Sequence, residues 1–252
     1  MDPEPEPRRF RSLLFAPGNN QRFIPKVFHS GADVVILDLE DAVAVAEKDS
    51  ARHDVVAALQ HEGRVAAAAH CLGYVRVNAA DTGFCFRDLT TIAGPWLDGV
   101  VLPKVESAEI LHSVDWVLGS IEAEQGMERG AIDLIPIIET VRSHPPPHSH
   151  PHQSNPTRVK PPATSSAALV VASPAAVPVV LLLHNRLTWL CVLLSPQAAG
   201  MAELKSIAQS GVPRVRRLAF GAGDYTLDLS LQWGAEEAEL SHARATLSLE
   251  SR

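Results

Sequence analysis

The strongest candidate for a functional residue in this sequence is a glutamate that directly follows a strongly apolar run. The run from Ile132 to Ile138 has the length and composition of a buried β-strand, and Glu139 comes immediately after it. A lone carboxylate is costly to bury, because its desolvation outweighs what one side chain gains from burial. We therefore expect Glu139 to lie at the open end of the strand, where its carboxylate faces a cation or a substrate.

Other charged residues stand at the ends of similar apolar runs. The stretches DVVILDL, YVRV, LDGVVL and RLAF each have the pattern of a strand, and each is followed closely by polar residues. In a parallel sheet the carboxyl ends of the strands meet at one edge, which is where α/β folds bind their ligands. The residues that this pattern brings to the edge are Asp38, Glu40, Asp41, Arg76, Lys104, Glu139 and Asp224.

Most of these residues also have an ordinary structural explanation. The three acids after the second strand are suited to helix capping or to holding Lys48 or Arg76 in place. Arg76 could pair with a surface acid, and Lys104 could pair in the same way with Glu106. Their shared position at strand ends is stronger evidence for a site than any one of them alone.

Strand and helix patterns alternate along the chain, and these elements would position the charged residues. Near-continuous apolar strands are typical of a parallel sheet that is covered on both faces, so the sequence predicts an α/β fold of about six βα units. Residues 1–10 are expected to be a disordered tail. We predict strands over 11–16, 33–39, 74–77, 97–102, 132–138 and 217–220, and helices over 20–30, 46–59, 86–92, 107–118, 198–209 and 235–250.

The overall composition is that of a soluble globular protein. A formal charge of -7 and a pI of about 5.9 give no indication of a nucleic-acid partner. The three cysteines have no metal-binding or redox spacing, which favours reduced thiols in a cytosol-like compartment. The amino terminus lacks the pattern of a signal or transit peptide, so we expect a cytoplasmic protein, or a mitochondrial one if the true amino terminus is missing.

The segment 141–197 differs in composition from the rest of the chain. It contains no Asp or Glu, but holds ten of the 19 prolines and five of the 11 histidines. A membrane span over its apolar half is disfavoured, because two prolines interrupt that stretch. A histidine metal tract over His144, His148, His150 and His152 is a second alternative. We favour a retained intron of 57 codons, whose removal would join Thr140 directly to Ala198 and restore a strand, a turn and a helix.

Six motifs in order resemble one known family. RSLLFAPGN, GADVVILDLEDAV with EKDSAR, YVRVN, VVLPKVES, IPIIET followed by AAGM, and LAFGAGDYTLDL are similar to the citrate lyase β-subunit-like members of the HpcH/HpaI aldolase superfamily. The resemblance covers about residues 8–245 apart from the insertion. It therefore implies one discontinuous barrel domain over 11–140 and 198–250.

The resemblance implies a fold, a metal and a reaction. The fold is a TIM (β/α)8 barrel of the phosphoenolpyruvate/pyruvate-binding type, and the cofactor is Mg2+ held by Glu139 and Asp224. Arg76 would clamp a substrate carboxylate, with Arg11 and Lys104 as further substrate contacts and with Asp38, Glu40, Asp41 and Lys48 in support. The implied activity is cleavage of a 3-hydroxy dicarboxylic acyl-CoA by an oxo-acid lyase, in a homotrimer that binds neither nucleic acid nor membrane.

The chain also departs from the family pattern. Without the 57-residue segment 195 residues remain, whereas an eight-stranded α/β barrel typically needs about 250. We therefore expect a truncated barrel and keep a catalytically inactive product as the alternative function. A malyl-CoA thioesterase or a malate synthase-like activity is a further alternative within the family.

Overall fold

Six parallel strands form a curled sheet in the computed structural model, which describes residues 10–67, 70–139, 201, 203–228, 232, 234 and 236–250. The strands lie in chain order from one edge of the sheet to the other, so each pairs with its sequence neighbours. This half-barrel confirms the predicted α/β fold with a parallel sheet. The strands are β1 (Leu13–Pro17), β2 (Val34–Asp38), β3 (Leu72–Arg76), β4 (Gly99–Leu102), β5 (Asp133–Ile138) and β6 (Ala219–Phe220).

Helices follow the strands, but several of their bounds differ from the sequence prediction. The helix expected over 46–59 begins as a 3-10 turn at Val45–Glu47 and ends in a π-helical turn at Leu59–Gly63. The helix expected over 107–118 continues to Glu124. The helices are α1 (Ile24–Phe28), α2 (Lys48–Ala58), α3 (Arg64–Ala67), α4 (Cys85–Ile92), α5 (Ala108–Glu124), α6 (Leu204–Ala208), α7 (Ala222–Asp228) and α8 (Ser241–Glu250).

The sheet separates two apolar clusters, as the alternation of side chains along a strand requires. In β2, Val35 and Leu37 pack into the larger cluster, which the helices cover. Val34 and Ile36 point to the other face, where they join a smaller cluster that includes Tyr74. Strands with both faces buried read as continuous apolar runs, which explains why the sequence pattern located them well.

The part of the chain after residue 200 packs against the part before residue 140. β6 pairs with β5 in parallel, with Ile138 opposite Phe220. Arg214, which is 1% exposed, donates hydrogen bonds to the buried carboxylate of Glu122 and to the carbonyl of Ile132. The two stretches therefore share one sheet and one core.

Several sequence predictions fall outside the described residues. These are residues 1–9 of the predicted tail and the whole of the segment 141–197, with its histidine tract and its apolar half. Phe10, the last residue of the tail predicted over 1–10, is instead 4% exposed and packs edge-on against Tyr74, so the prediction was wrong there. Among the residues that are described, no helix has both the length and the apolar character that crossing a membrane requires.

Candidate functional site

The register of β2 and β3 joins the first two charged residues of the site. Asp38 lies opposite Arg76 in the sheet, at the last position of both strands. The Arg76 Nε and Nη2 atoms each donate a hydrogen bond of 2.7 Å to a different oxygen of Asp38. This side-on pair fixes the plane of the guanidinium and leaves its far edge, formed by Nη1 and Nη2, to face other groups.

Glu40 connects this pair to the next strand. Its carboxylate lies 3.2 Å from Arg76 Nη1 on one side and accepts a 2.5 Å hydrogen bond from Lys104 Nζ on the other. The Glu40 backbone N–H donates to Asp38 Oδ1 at 2.9 Å, which turns the chain back over the strand end. The carboxylate of Glu40 is therefore buried between two cations, which lie at the carboxyl ends of two different strands.

Glu139 completes the row at the end of β5. It is 4% exposed, and its Oε1 atom accepts a 3.0 Å hydrogen bond from the backbone N–H of Lys104. Lys104 has a φ of 53°, a left-handed conformation that costs a non-glycine residue roughly 1–2 kcal/mol. The strained peptide thus aims its N–H at the Glu139 carboxylate.

Gly221 makes room for the same carboxylate. A Cβ atom at position 221 would come within 2.6 Å of the Glu139 Cβ and closer still to Oε2. Contacts this short do not occur between real side chains, so any larger residue would displace Glu139. The missing side chain at Gly221 therefore leaves space that the Glu139 side chain fills.

The site carries more negative than positive charge. Burial, together with the charges of Glu40 and Asp224, raises the pKa of Glu139 to about 8, although Arg76 and Lys104 oppose the shift. Burial also raises the pKa of Glu40, against the lowering influence of Arg76 and Lys104. Glu40 Oε2 is buried and accepts no well-aligned hydrogen bond from the described residues, although Arg76 Nη1 lies 3.2 Å away. An added cation would relieve this excess.

The available donors fit a magnesium ion. Asp224 lies in the first turn of α7, just after β6, close enough for its charge to raise the pKa of Glu139. Within the described part of the chain no three acidic, histidine or cysteine side chains converge on one point. The carboxylates of Glu139 and Asp224 are the type of donor that would suit Mg2+, which prefers oxygen ligands and keeps several waters or substrate oxygens.

Two other supporting residues lie close to this row. Asp41 is exposed beyond the end of β2, and its charge acts on both Glu40 and Lys104. Lys48 is buried and donates from Nζ to the backbone carbonyls of Leu39 and Glu40.

The structure does not bring Arg11 to the site. Arg11 precedes β1, and it donates to both carboxylate oxygens of Asp33, which precedes β2. Parallel strands place these two residues at the amino ends of the strands, opposite the edge that carries Glu139. The expectation that Arg11 contacts the substrate was therefore wrong, because a residue just before a strand lies at the end of the sheet opposite the candidate site.

Sequence reasoning missed the polar groups behind the site. Asp88 is fully buried in α4 and accepts hydrogen bonds from the backbone and the side chain of Asn78 and from Arg52 Nε. Asp88 occupies a helical position with no strand end near it in sequence, so no pattern marked it. Asn78 and Arg52 lie within recognisable motifs, but only the fold shows that they meet.

Known proteins share this sequence pattern. Residues 11–144 match the model of the family described as HpcH/HpaI aldolase/citrate lyase. The citrate lyase subunit beta of Leuconostoc mesenteroides subsp. cremoris is 36% identical over 130 residues, which are 52% of this chain and 42% of that protein. An L-malyl-CoA/beta-methylmalyl-CoA lyase of Cereibacter sphaeroides is 36% identical over 131 residues, which are 50% of this chain and 39% of that one. The chain thus spans about two fifths of the length of these curated relatives.

Solved structures share the fold. The CitE protein of Mycobacterium tuberculosis in complex with magnesium, acetoacetate and coenzyme A superposes with a TM-score of 0.54 at 22% identity, and the match covers 95% of this chain and 60% of that one. The family model covers more than half of the chain, and its relatives are named as lyases. This protein therefore belongs to the HpcH/HpaI aldolase/citrate lyase family.

Proposed function

We propose that this chain carries the magnesium and carboxylate site of a carbon–carbon lyase that cleaves a 3-hydroxy dicarboxylic acyl-CoA, such as citramalyl-CoA, malyl-CoA or a citryl thioester. The products would be an acyl-CoA and an oxo acid. The observation that carries the proposal is the buried Glu139 carboxylate, whose pKa is raised to about 8 in a row that also holds Arg76. A divalent cation and a substrate carboxylate are the two groups that such a row would bind.

The far edge of the Arg76 guanidinium would hold the substrate carboxylate. Its Nε and Nη2 atoms are anchored on Asp38, so the side chain does not have to be ordered when a ligand arrives. A pre-ordered arginine loses less conformational entropy on binding, and two parallel hydrogen bonds fix the direction of the carboxylate. Phe15 supports the guanidinium from one face, with its ring centre 5.3 Å from Cζ.

Glu139 and Asp224 would hold the Mg2+ ion. When bound, the metal would act as a Lewis acid on the oxygen next to the substrate carboxylate. In the reaction the hydroxyl proton leaves to a base, the bond between the hydroxyl-bearing carbon and the carbon next to the thioester breaks, and the resulting enolate takes up a proton. Lys104, whose Nζ is held by Glu40, adds positive charge close to the developing anions.

The finer parts of this proposal extend what is known of the relatives. The M. tuberculosis CitE structure is a complex with coenzyme A, and the C. sphaeroides relative is named as a malyl-CoA lyase. We propose a CoA thioester as substrate and a homotrimer as the assembled form. Light scattering on the purified protein would test the trimer.

The proposed function can be tested by measuring, on the same protein, how Mg2+ changes the melting temperature and the rate of acyl-CoA cleavage. We expect Mg2+ at about 100 times its Kd to stabilise the fold by about 2.7 kcal/mol, which raises the melting temperature by roughly 5 °C or more. Cleavage of malyl-CoA and citramalyl-CoA should require Mg2+ and release acetyl-CoA, together with glyoxylate from the first substrate and pyruvate from the second. Release of free CoA without an oxo acid would instead indicate a thioesterase.

A pair of variants makes this test specific. Glu139→Gln keeps the shape of the side chain but removes its charge, so it should abolish the Mg2+ effect and lower turnover by about 100-fold or more. Glu109→Gln changes an exposed glutamate at the start of α5 and serves as the control. Absence of both turnover and Mg2+ stabilisation in the unaltered chain would favour the inactive-product alternative.

A further inference from the structure

A buried lysine stands behind the site. Lys48 is 6% exposed, at the first position of α2, and its Nζ donates to the carbonyl of Leu39 at 2.7 Å and to that of Glu40 at 2.9 Å. The Phe84 ring lies on a third side, with its centre 5.6 Å from Nζ. Among the described residues no carboxylate lies within ion-pair distance of this ammonium. The hydrogen bonds of this buried ammonium therefore go to two backbone carbonyls.

A second network holds the same carbonyl from another direction. Asn78 Nδ2 donates to the Leu39 carbonyl at 3.1 Å and to Asp88 Oδ2 at 2.6 Å. Asp88 Oδ1 in turn accepts from Arg52 Nε at 2.6 Å. Arg52 lies one helical turn after Lys48 on α2, so both arms of the network start from one rigid helix.

The turn that these arms hold is the one that carries Glu40. Among the described residues, three other hydrogen bonds hold its backbone: the Glu40 N–H donates to Asp38, the Leu39 N–H to the carbonyl of Arg76, and the Val43 N–H to the carbonyl of Glu40 at 3.3 Å. The Glu40 side chain must reach both Arg76 and Lys104, which follow different strands. A small rotation of the Leu39–Glu40 peptides would move the carboxylate away from one of the two.

We propose that Lys48 is a positioning residue, which fixes the Leu39–Glu40 turn so that the Glu40 carboxylate bridges Arg76 and Lys104. The proposal rests on the proposed function for its catalytic consequence, but the positioning itself is a property of the fold. A purely stabilising role explains the residue less well. Burial lowers the pKa of Lys48 although the charges of Asp88, Asp38, Glu40 and Asp41 act against the shift, so burying this ammonium costs desolvation energy that an apolar side chain of similar size would not.

Hydrogen exchange tests the positioning without any need for activity. In Lys48→Met the turn loses two hydrogen bonds, and we expect amide exchange in a peptide covering 39–44 to accelerate by about tenfold or more, while a peptide from α5 keeps its rate. Lys26→Met, at an exposed lysine of α1, is the matched control. Unchanged exchange over 39–44, or an equal acceleration throughout the protein, would overturn the proposal.

A double-mutant cycle tests the catalytic consequence. If Lys48 acts through Glu40, Lys48→Met should lower kcat/KM by about tenfold alone but by less than about twofold in a Glu40→Gln background. We expect most of the loss in KM, because Arg76 and Lys104 lose their common partner. Fully additive effects would overturn the proposal. If the unaltered chain shows no turnover, the proposed function fails, and the exchange measurement alone decides whether Lys48 positions Glu40.

Discussion

Glu122 and Glu139 are both buried glutamates, yet their environments shift the pKa in opposite directions. Glu122 is 0% exposed and Glu139 is 4% exposed, so burial alone does not separate them. Burial opposes ionisation of Glu122, but hydrogen bonds from Arg214 and from two backbone N–H groups outweigh it and lower the pKa. For Glu139, burial and the neighbouring acids raise the pKa to about 8.

The difference lies in how completely each carboxylate is satisfied. Arg214 donates to both oxygens of Glu122 at 2.8 and 3.0 Å, and the N–H groups of Gly130 and Ile132 also donate to that carboxylate. Within the described part of the chain, Glu139 accepts one hydrogen bond, from the backbone N–H of Lys104. A carboxylate whose oxygens are fully hydrogen-bonded, such as Glu122, stabilises the fold. A carboxylate with unused lone pairs, such as Glu139, can bind a ligand.

Removal of Arg214 from its pair with Glu122 should have the largest effect, which is on the stability of the fold. Arg214→Met leaves the Glu122 charge buried without its partner, and it also deprives Asp115 of a 2.5 Å hydrogen bond. We expect a loss of about 3–5 kcal/mol in the free energy of unfolding. Urea denaturation followed by circular dichroism measures this loss. Arg216→Met, at an exposed neighbour, should change it by less than about 0.5 kcal/mol. A cost below about 1 kcal/mol for Arg214→Met would contradict the structural role.

A methyl group placed beside the incomplete site should have a smaller but more specific effect. In Gly221→Ala the new Cβ would overlap with the Glu139 side chain and push the carboxylate away from its position. We expect the affinity for Mg2+ and the turnover to fall by roughly 10- to 100-fold, as for losses of supporting contacts in metal sites. Isothermal titration calorimetry with Mg2+ measures the first quantity.

A neighbouring glycine provides the control for this substitution. Gly223 is exposed, and a Cβ atom there would have no neighbour within 4 Å, so Gly223→Ala should leave Mg2+ binding unchanged. Equal effects of the two substitutions would show that Gly221 does not act through contact with Glu139.

The sequence located the strands and the sheet edge where most of the candidate site residues lie, but not the contacts that hold these residues in place. Apolar runs with both faces buried are distinctive in sequence, so the ends that carry Asp38, Arg76 and Glu139 were identified correctly. Arg11 was assigned to the same site from the family resemblance, although a residue at the start of a parallel strand lies at the opposite edge. The bond from Asn78 to Leu39 and the support of Glu40 by Lys48 depend on how loops fold back, which no local pattern encodes.

The pH dependence of Mg2+ binding tests whether the raised pKa of Glu139, in contrast to the lowered pKa of Glu122, affects metal binding. A glutamate in an unfolded chain ionises near pH 4.5, so Glu139, with its pKa of about 8, keeps a proton in the folded state that the unfolded chain has released. Its contribution to stability is therefore full below pH 4.5 and is lost as the pH rises through 8. Mg2+ requires the ionised carboxylate, so its affinity should fall by about tenfold per pH unit below 8.

Melting temperatures with and without Mg2+ at pH 6.5, 7.5 and 8.5 measure this linkage. The stabilisation by Mg2+ should be largest at pH 8.5, where the protein without metal has lost the contribution of protonated Glu139. Glu139→Gln should remove both trends, because a glutamine has no proton to release in this range. Glu122→Gln is unsuitable as a control since it breaks the buried pair with Arg214, so Glu109→Gln at an exposed position replaces it. If the effect of Mg2+ were the same at all three pH values, a carboxylate with a raised pKa would not be its ligand, and the contrast between the two glutamates would have no bearing on metal binding.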